Sequence, residues 1–151
     1  MSRNVEVISG NISYSQKISI GPHQLQADEP FEVGGRDSGP NPYEILLAAL
    51  GSCTSTTIRM YADRKRWPVE DVRIRLKHGR VHSEDCMGCE TRAGFIDRIE
   101  REIFLVGELT DEQRQRLLQI ANKCPVHQTL TSQMRIETYL DPIASPANSP
   151  Q

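Results

Sequence analysis

The chain has 151 residues, 37% hydrophobic by composition, with 18 basic and 20 acidic side chains and a formal net charge of -2. That length suits one domain with a single core. The near balance of charge leaves no basic face for nucleic acid and no polybasic membrane patch. The first residues lack the apolar stretch of a secretion signal, and no run is long enough to span a bilayer, so the expected setting is cytoplasmic.

In chain order, residues 5–27 alternate between apolar and polar around Gly10-Asn11 and Gly21-Pro22, which predicts three short antiparallel strands. Residues 28–42 carry Pro30, Gly34, Gly35, Gly39, Pro40 and Pro42, a composition that resists helix and sheet and reads as a long surface loop. Asn41-Pro42 followed by Glu44 then supplies an N-cap, a proline for the first turn and a carboxylate at the third position, so a helix is expected to about Arg64. Its Ile45–Leu50 stretch is apolar all round, as in a helix at the centre of a fold or at a subunit interface.

Strict alternation marks Val72–Lys77 and Ile96–Val106 as strands, joined through Val81–Thr91 in an extended hairpin connection. Thr110 and Gln113 form a capping box before Leu117, Leu118, Ile120 and Ala121, so a helix is expected there. A short helix after Cys124-Pro125 and a closing strand over Met134–Leu140 complete the order. There is no internal repeat and no alternation of strands with helices, so the pattern predicts an α+β domain over 1–142 and a proline-rich tail over 143–151.

Four cysteines in a reducing compartment are more often catalytic, redox-sensing or metal-binding than structural. The nucleophile is the thiolate, and a free cysteine near pKa ~8.5 is only slightly ionised at neutral pH. Cys53 lies mid-helix among apolar residues, a setting that raises its pKa unless another segment brings a cation or donors. Arg36 on the glycine-rich loop is the nearest candidate cation. Cys124 precedes Pro125 and stands where backbone N–H groups at a helix start favour a thiolate. The plain alternative for either cysteine is a small, inert core residue.

Cys86 and Cys89, with His78 and His82 close by, form a candidate zinc set. On an extended strand those histidines lie about 13 Å apart. At most one of them, His82 being the nearer, can join the two sulfurs, and a redox-active or simply reduced thiol pair is the preferred reading. His127, three residues after Cys124, either polarises a thiol or packs at the helix start.

The run from Gly34 through Asn41-Pro42 to Gly51-Ser52-Cys53 closely resembles the central segment of the OsmC/Ohr family, and Cys124-Pro125-Val126-His127 is similar to that family's second cysteine motif. The resemblance covers roughly residues 5–140. It implies an OsmC-like fold with antiparallel sheets around a long buried helix, an intertwined homodimer, and reduction of organic hydroperoxides without a cofactor. It further implies that Cys53 attacks the peroxide, that Cys124 resolves the resulting sulfenic acid, and that an external dithiol reopens the disulfide.

Two positions depart from the family pattern. Peroxidases of the family carry a glutamate directly after the Asn-Pro dipeptide, where this chain has Tyr43 and places Glu44 one residue later. Nine residues of helix separate Glu44 from Cys53 by about 13 Å, so Glu44 is either a helix cap or a residue of the partner subunit's site. The family's arginine comes from the N-terminal strands, where this chain offers Lys17, leaving Arg36 as its replacement or as an exposed turn residue. These departures sustain an alternative function: a non-catalytic or weakly catalytic thiol sensor or binding protein of the same fold, using Cys86 and Cys89 for a metal or a redox step.

Overall fold

The computed structural model describes residues 3–82 and 94–141. Three strands, β1 (Val5–Ser9), β2 (Gln16–Ile20) and β3 (His23–Ala27), form an antiparallel meander in the order β1-β2-β3. A loop with one 3-10 turn at Phe31–Val33 leads to the long helix α1 (Pro42–Lys65). The antiparallel pair β4 (Asp71–His82) and β5 (Phe95–Val106) follows, then α2 (Asp111–Ala121) and α3 (Pro125–Thr131). This is the α+β architecture expected from the order of the patterns.

The loop after β3 is organised by one carboxylate. Asp28 is 1% exposed and accepts hydrogen bonds from the Ser38 hydroxyl and from the backbone N–H groups of Glu29, Arg36 and Ser38. The Ser38 hydroxyl, joined by these N–H donors, holds the Asp28 carboxyl below its ordinary range against the opposing effect of burial. The chain passes so close to itself here that a Cβ on Gly35 would stand 1.7 Å from the Glu29 carbonyl oxygen. Only glycine fits.

Both predicted capping boxes form. The Asn41 side chain accepts from the Glu44 N–H while the Glu44 carboxylate accepts from the Asn41 N–H, and Thr110 and Gln113 repeat the exchange at the start of α2. Along β4 and β5 the ladder pairs Val72 with Leu105, Ile74 with Ile103, and Leu76 with Arg101. These residues occupy the half-buried phase of the alternation and face α1.

The core lies where α1, the β4–β5 sheet and α2 meet. Ile58, Ala62, Val69, Leu117 and Ala121 are buried there, with Tyr61, Trp67, Val72, Ile103, Leu105 and Leu109 packed around them. Gly51 lets α1 lie close to the sheet, since a Cβ at this position would meet Leu76 Cδ1 at 2.8 Å.

Two expectations change, and the fold-centre alternative for Ile45–Leu50 is met only in part within one chain. Met134–Leu140 is not a strand: among the described residues the segment pairs with nothing in its own chain, and Ile136, Tyr139 and Leu140 stand 81%, 82% and 92% exposed. Alternation specifies which face is apolar but cannot supply a ladder partner. The all-apolar Ile45–Leu50 stretch is only partly covered within one chain, with Leu50 buried, Ile45 to Leu47 half-buried and Ala48 and Ala49 exposed. Val81 and His82 extend β4 instead of opening the connection. Cys86, Cys89, the rest of that connection and the 143–151 tail lie outside the described residues. No described helix is long and apolar enough to cross a membrane.

Candidate functional site: a thiol pair beside a half-buried arginine

Helix α1 presents Cys53 one position before the buried Thr54, and the link between α2 and α3 turns Cys124 inward as the N-cap of α3. The two thiols lie close enough for each to shift the other's ionisation, with Cys124 fully buried and Cys53 half-buried.

The environment divides the pair. The Cys53 thiol is pushed up, first by burial and then by its hydrogen bond to Cys124, while the Val126 N–H and the Thr57 hydroxyl pull the other way. Burial also opposes ionisation of Cys124, but donors outweigh it: the Cys53 thiol, the His127 N–H, the Thr54 hydroxyl and the Val126 N–H together bring Cys124 below its ordinary value. Ionisation is thus favoured at Cys124 over Cys53.

The cation beside this pair is Arg101, on the inward phase of β5 and opposite Leu76. Its guanidinium donates to Thr54 Oγ1 at 2.8 Å and to Asn122 Oδ1 at 2.9 Å, and its charge interacts with Cys124. Burial lowers its pKa, and Cys124 acts to raise it. Sequence reasoning missed Arg101. The available signal was an arginine on the apolar phase of a strand, between Ile99 and Ile103, where the pattern calls for an aliphatic residue.

Arg101, Asn122 and His127 also line a cavity of about 430 Å³ whose apolar walls include Leu50, Ile99 and Leu130. Its walls come mainly from β5, α2 and α3, with Leu50 from α1.

Two candidate residues stand apart from the sulfurs within the chain. The Arg36 side chain is exposed, and its backbone N–H serves Asp28. The Glu44 carboxylate is engaged in the α1 capping box. Tyr43, at the family's glutamate position, stacks on His78 with ring centroids 4.3 Å apart, and His78 Nε2 is 2.8 Å from Asp97 Oδ1. His82 meets Phe95 edge-on, and the described residues contain no group of three or more histidine, cysteine or acidic side chains able to hold a metal ion.

Burial, followed by the positive field of Arg101, holds the His127 imidazole below its ordinary value, so it is neutral at pH 7. A base with a depressed folded-state pKa takes up its proton more readily when unfolded, which makes stability fall as pH drops below about 6.5. Denaturant titrations across that range should record the decline in wild type and a flatter profile in His127→Gln.

Comparisons with known proteins follow this geometry. The family model described as OsmC-like protein matches residues 35–139. Among solved structures, an OsmC-like protein from Mycoplasma pneumoniae is 17% identical at TM-score 0.68, covering 86% of this chain and 87% of that one. An organic hydroperoxide resistance protein from Elizabethkingia anophelis, solved with thiocyanate bound, is 18% identical at TM-score 0.66, with 87% and 89% covered. The organic hydroperoxide resistance protein OsmC from Legionella pneumophila is 20% identical at TM-score 0.64, with 87% and 90% covered. None of the curated proteins compared with the chain matches it. With the fold shared along most of its length and the family model spanning both cysteine motifs, the chain belongs to the OsmC-like protein family.

Proposed function

We propose that the chain is a thiol-dependent peroxidase that reduces organic hydroperoxides, with Cys53 as the attacking and Cys124 as the resolving thiol. The observation that carries this reading is that two cysteines remote in sequence lie close enough to influence each other's ionisation, Cys53 being the one partly open to solvent. The names of the Elizabethkingia and Legionella proteins agree with it.

The chemistry balances on these two residues. The Cys53 S–H passes its proton to the Cys124 thiolate, and the Cys53 thiolate attacks the terminal peroxide oxygen. The O–O bond breaks, Cys53 becomes a sulfenic acid, and the departing alkoxide takes the proton held by Cys124 and leaves as an alcohol. Cys124, again a thiolate, attacks the Cys53 sulfur and displaces hydroxide, which leaves as water after protonation. An external dithiol then reduces the disulfide by two exchanges.

The cavity supports an organic substrate, because its apolar walls suit an alkyl or aryl body while Arg101 and Asn122 face the polar end. Within one chain the residues at the sulfurs are Arg101, Thr54, Thr57, Val126 and His127. The proposed cycle accordingly uses neither Arg36 nor Glu44 of the same chain.

A homodimer in the cytoplasm completes the reading. It is supported by the exposed apolar residues Val5, Val7, Ile136 and Tyr139 and by the unpaired 134–140 segment, which another copy can cover.

One observation favours a second reading as a thiol sensor or binding protein: burial pushes the Cys53 thiol up, which slows attack. Stopped-flow oxidation by cumene hydroperoxide and by hydrogen peroxide separates the two. The peroxidase reading requires cumene hydroperoxide to react faster than with a free thiol and faster than hydrogen peroxide. If neither oxidant reacts faster than with a free thiol, only binding remains.

A further inference from the structure

We infer that Arg101 is the positioning residue of the thiol pair, acting through the Thr54 hydroxyl to set the charge of Cys124. Its guanidinium bonds Thr54 of α1 and Asn122 at the end of α2, and its charge interacts with Cys124 at the start of α3. Arginine carries donors only, in a rigid fork, so its two hydrogen bonds fix the orientation of both acceptors.

Thr54 is the linking group. It is fully buried, its Oγ1 accepts from Arg101, and its single proton has two acceptors within reach: the Leu50 carbonyl oxygen at 2.7 Å and the Cys124 sulfur. While Cys124 is a neutral thiol, the carbonyl is the better acceptor. Once Cys124 is a thiolate, the hydroxyl turns to the sulfur, because a hydrogen bond to an ionised acceptor is roughly twice as strong. Arg101 remains bonded to the oxygen in either orientation and makes that hydroxyl a stronger donor.

The titratable and charged groups facing Cys124 are Cys53 from α1, Arg101 from β5 and His127 from α3. Asp97, farther along β5, is bound to His78 and Arg80. Arg101 is thus the only permanent cation among the groups that face the pair in the described residues. The role of this arrangement in turnover rests on the peroxidase reading, whereas its effect on the sulfur does not.

The test follows thiolate absorbance in the ultraviolet against pH. It takes the difference between Cys53→Ser and Cys53→Ser/Cys124→Ser proteins, which isolates Cys124 from the remaining cysteines. Adding Thr54→Val or Arg101→Met should move the Cys124 midpoint up by about one pH unit, about a tenfold loss of thiolate at a given pH. Thr54→Ser, which keeps the hydroxyl, should hold the unmodified midpoint. If Arg101→Met does not fold, the Thr54 variants decide: equal midpoints for Val and Ser overturn the inference. No peroxide enters this measurement, so an inert peroxide assay with a displaced midpoint defeats only the proposed function, and normal turnover with an unmoved midpoint defeats only this inference.

Discussion

Cys53→Ser should abolish consumption of an organic hydroperoxide, while Cys124→Ser should consume about one equivalent per chain and then stop. The half-buried sulfur is the one a peroxide can reach, and the buried sulfur is the one that can close the disulfide. In the proposed cycle, removing the first eliminates the nucleophile. Removing the second leaves a sulfenic acid with no neighbouring thiol to condense with, so that cycle halts after one turn.

The first-turn rate is a sharper test. Because in the proposed cycle Cys124 holds the proton that the alkoxide needs, Cys124→Ser should also slow the single turnover, by about 10²-fold or more if its proton transfer contributes as general acid catalysis usually does. Peroxide consumption measured against enzyme concentration, with mass spectrometry of Cys53, reads both effects. Sustained turnover by Cys53→Ser would end the assignment.

The second large effect concerns stability. Leu117→Ala should cost about 2–5 kcal/mol, because Leu117 is fully buried between α1 and α2 in a cluster that already contains the small residues Ala62 and Ala121. Ala62 and Ala121 have no long side chain to move into the space, so on their side the void stays. A fall in the thermal midpoint of about 5–15 °C is expected from a loss of that size. Leu118, next in the chain and 49% exposed, is the control, with a loss near 1 kcal/mol or less on substitution by alanine. Equal losses at both positions would contradict the core described above.

Local physics was readable wherever a residue satisfies its neighbours within a few positions. Asn41 with Glu44, and Thr110 with Gln113, are capping boxes in the sequence and in the structure. The alternation of Val72, Ile74 and Leu76 likewise announces a one-sided strand, because a pleat sends successive side chains to opposite faces.

What depends on remote packing was not readable in the same way. Cys53 and Cys124 could each be taken for core filler from their surroundings alone, and only the family resemblance joined them. Arg101 was missed because its importance appears once β5 lies against α1 and Thr54 becomes its acceptor. Arg36 was a candidate because it lies near Cys53 in sequence, with an exposed turn residue as the equal alternative, and the Asp28 loop directs that backbone into its own turn. Met134–Leu140 has the alternation of a strand, but hydrogen-bond pairing is a property of two segments, and the pattern of one cannot say where the other is.

The placement of Arg101 also bears on the return half of the proposed cycle. Joining Cys53 to Cys124 erases the anion that balanced the guanidinium, and the N–H groups of Val126 and His127 are left facing a sulfur that accepts weakly. Oxidation thereby turns a neutralised recess into an electropositive one. A dithiol reductant attacks as its anion, so the oxidised protein should attract its reductant more strongly at low ionic strength, an attraction that fades once the bond is reopened.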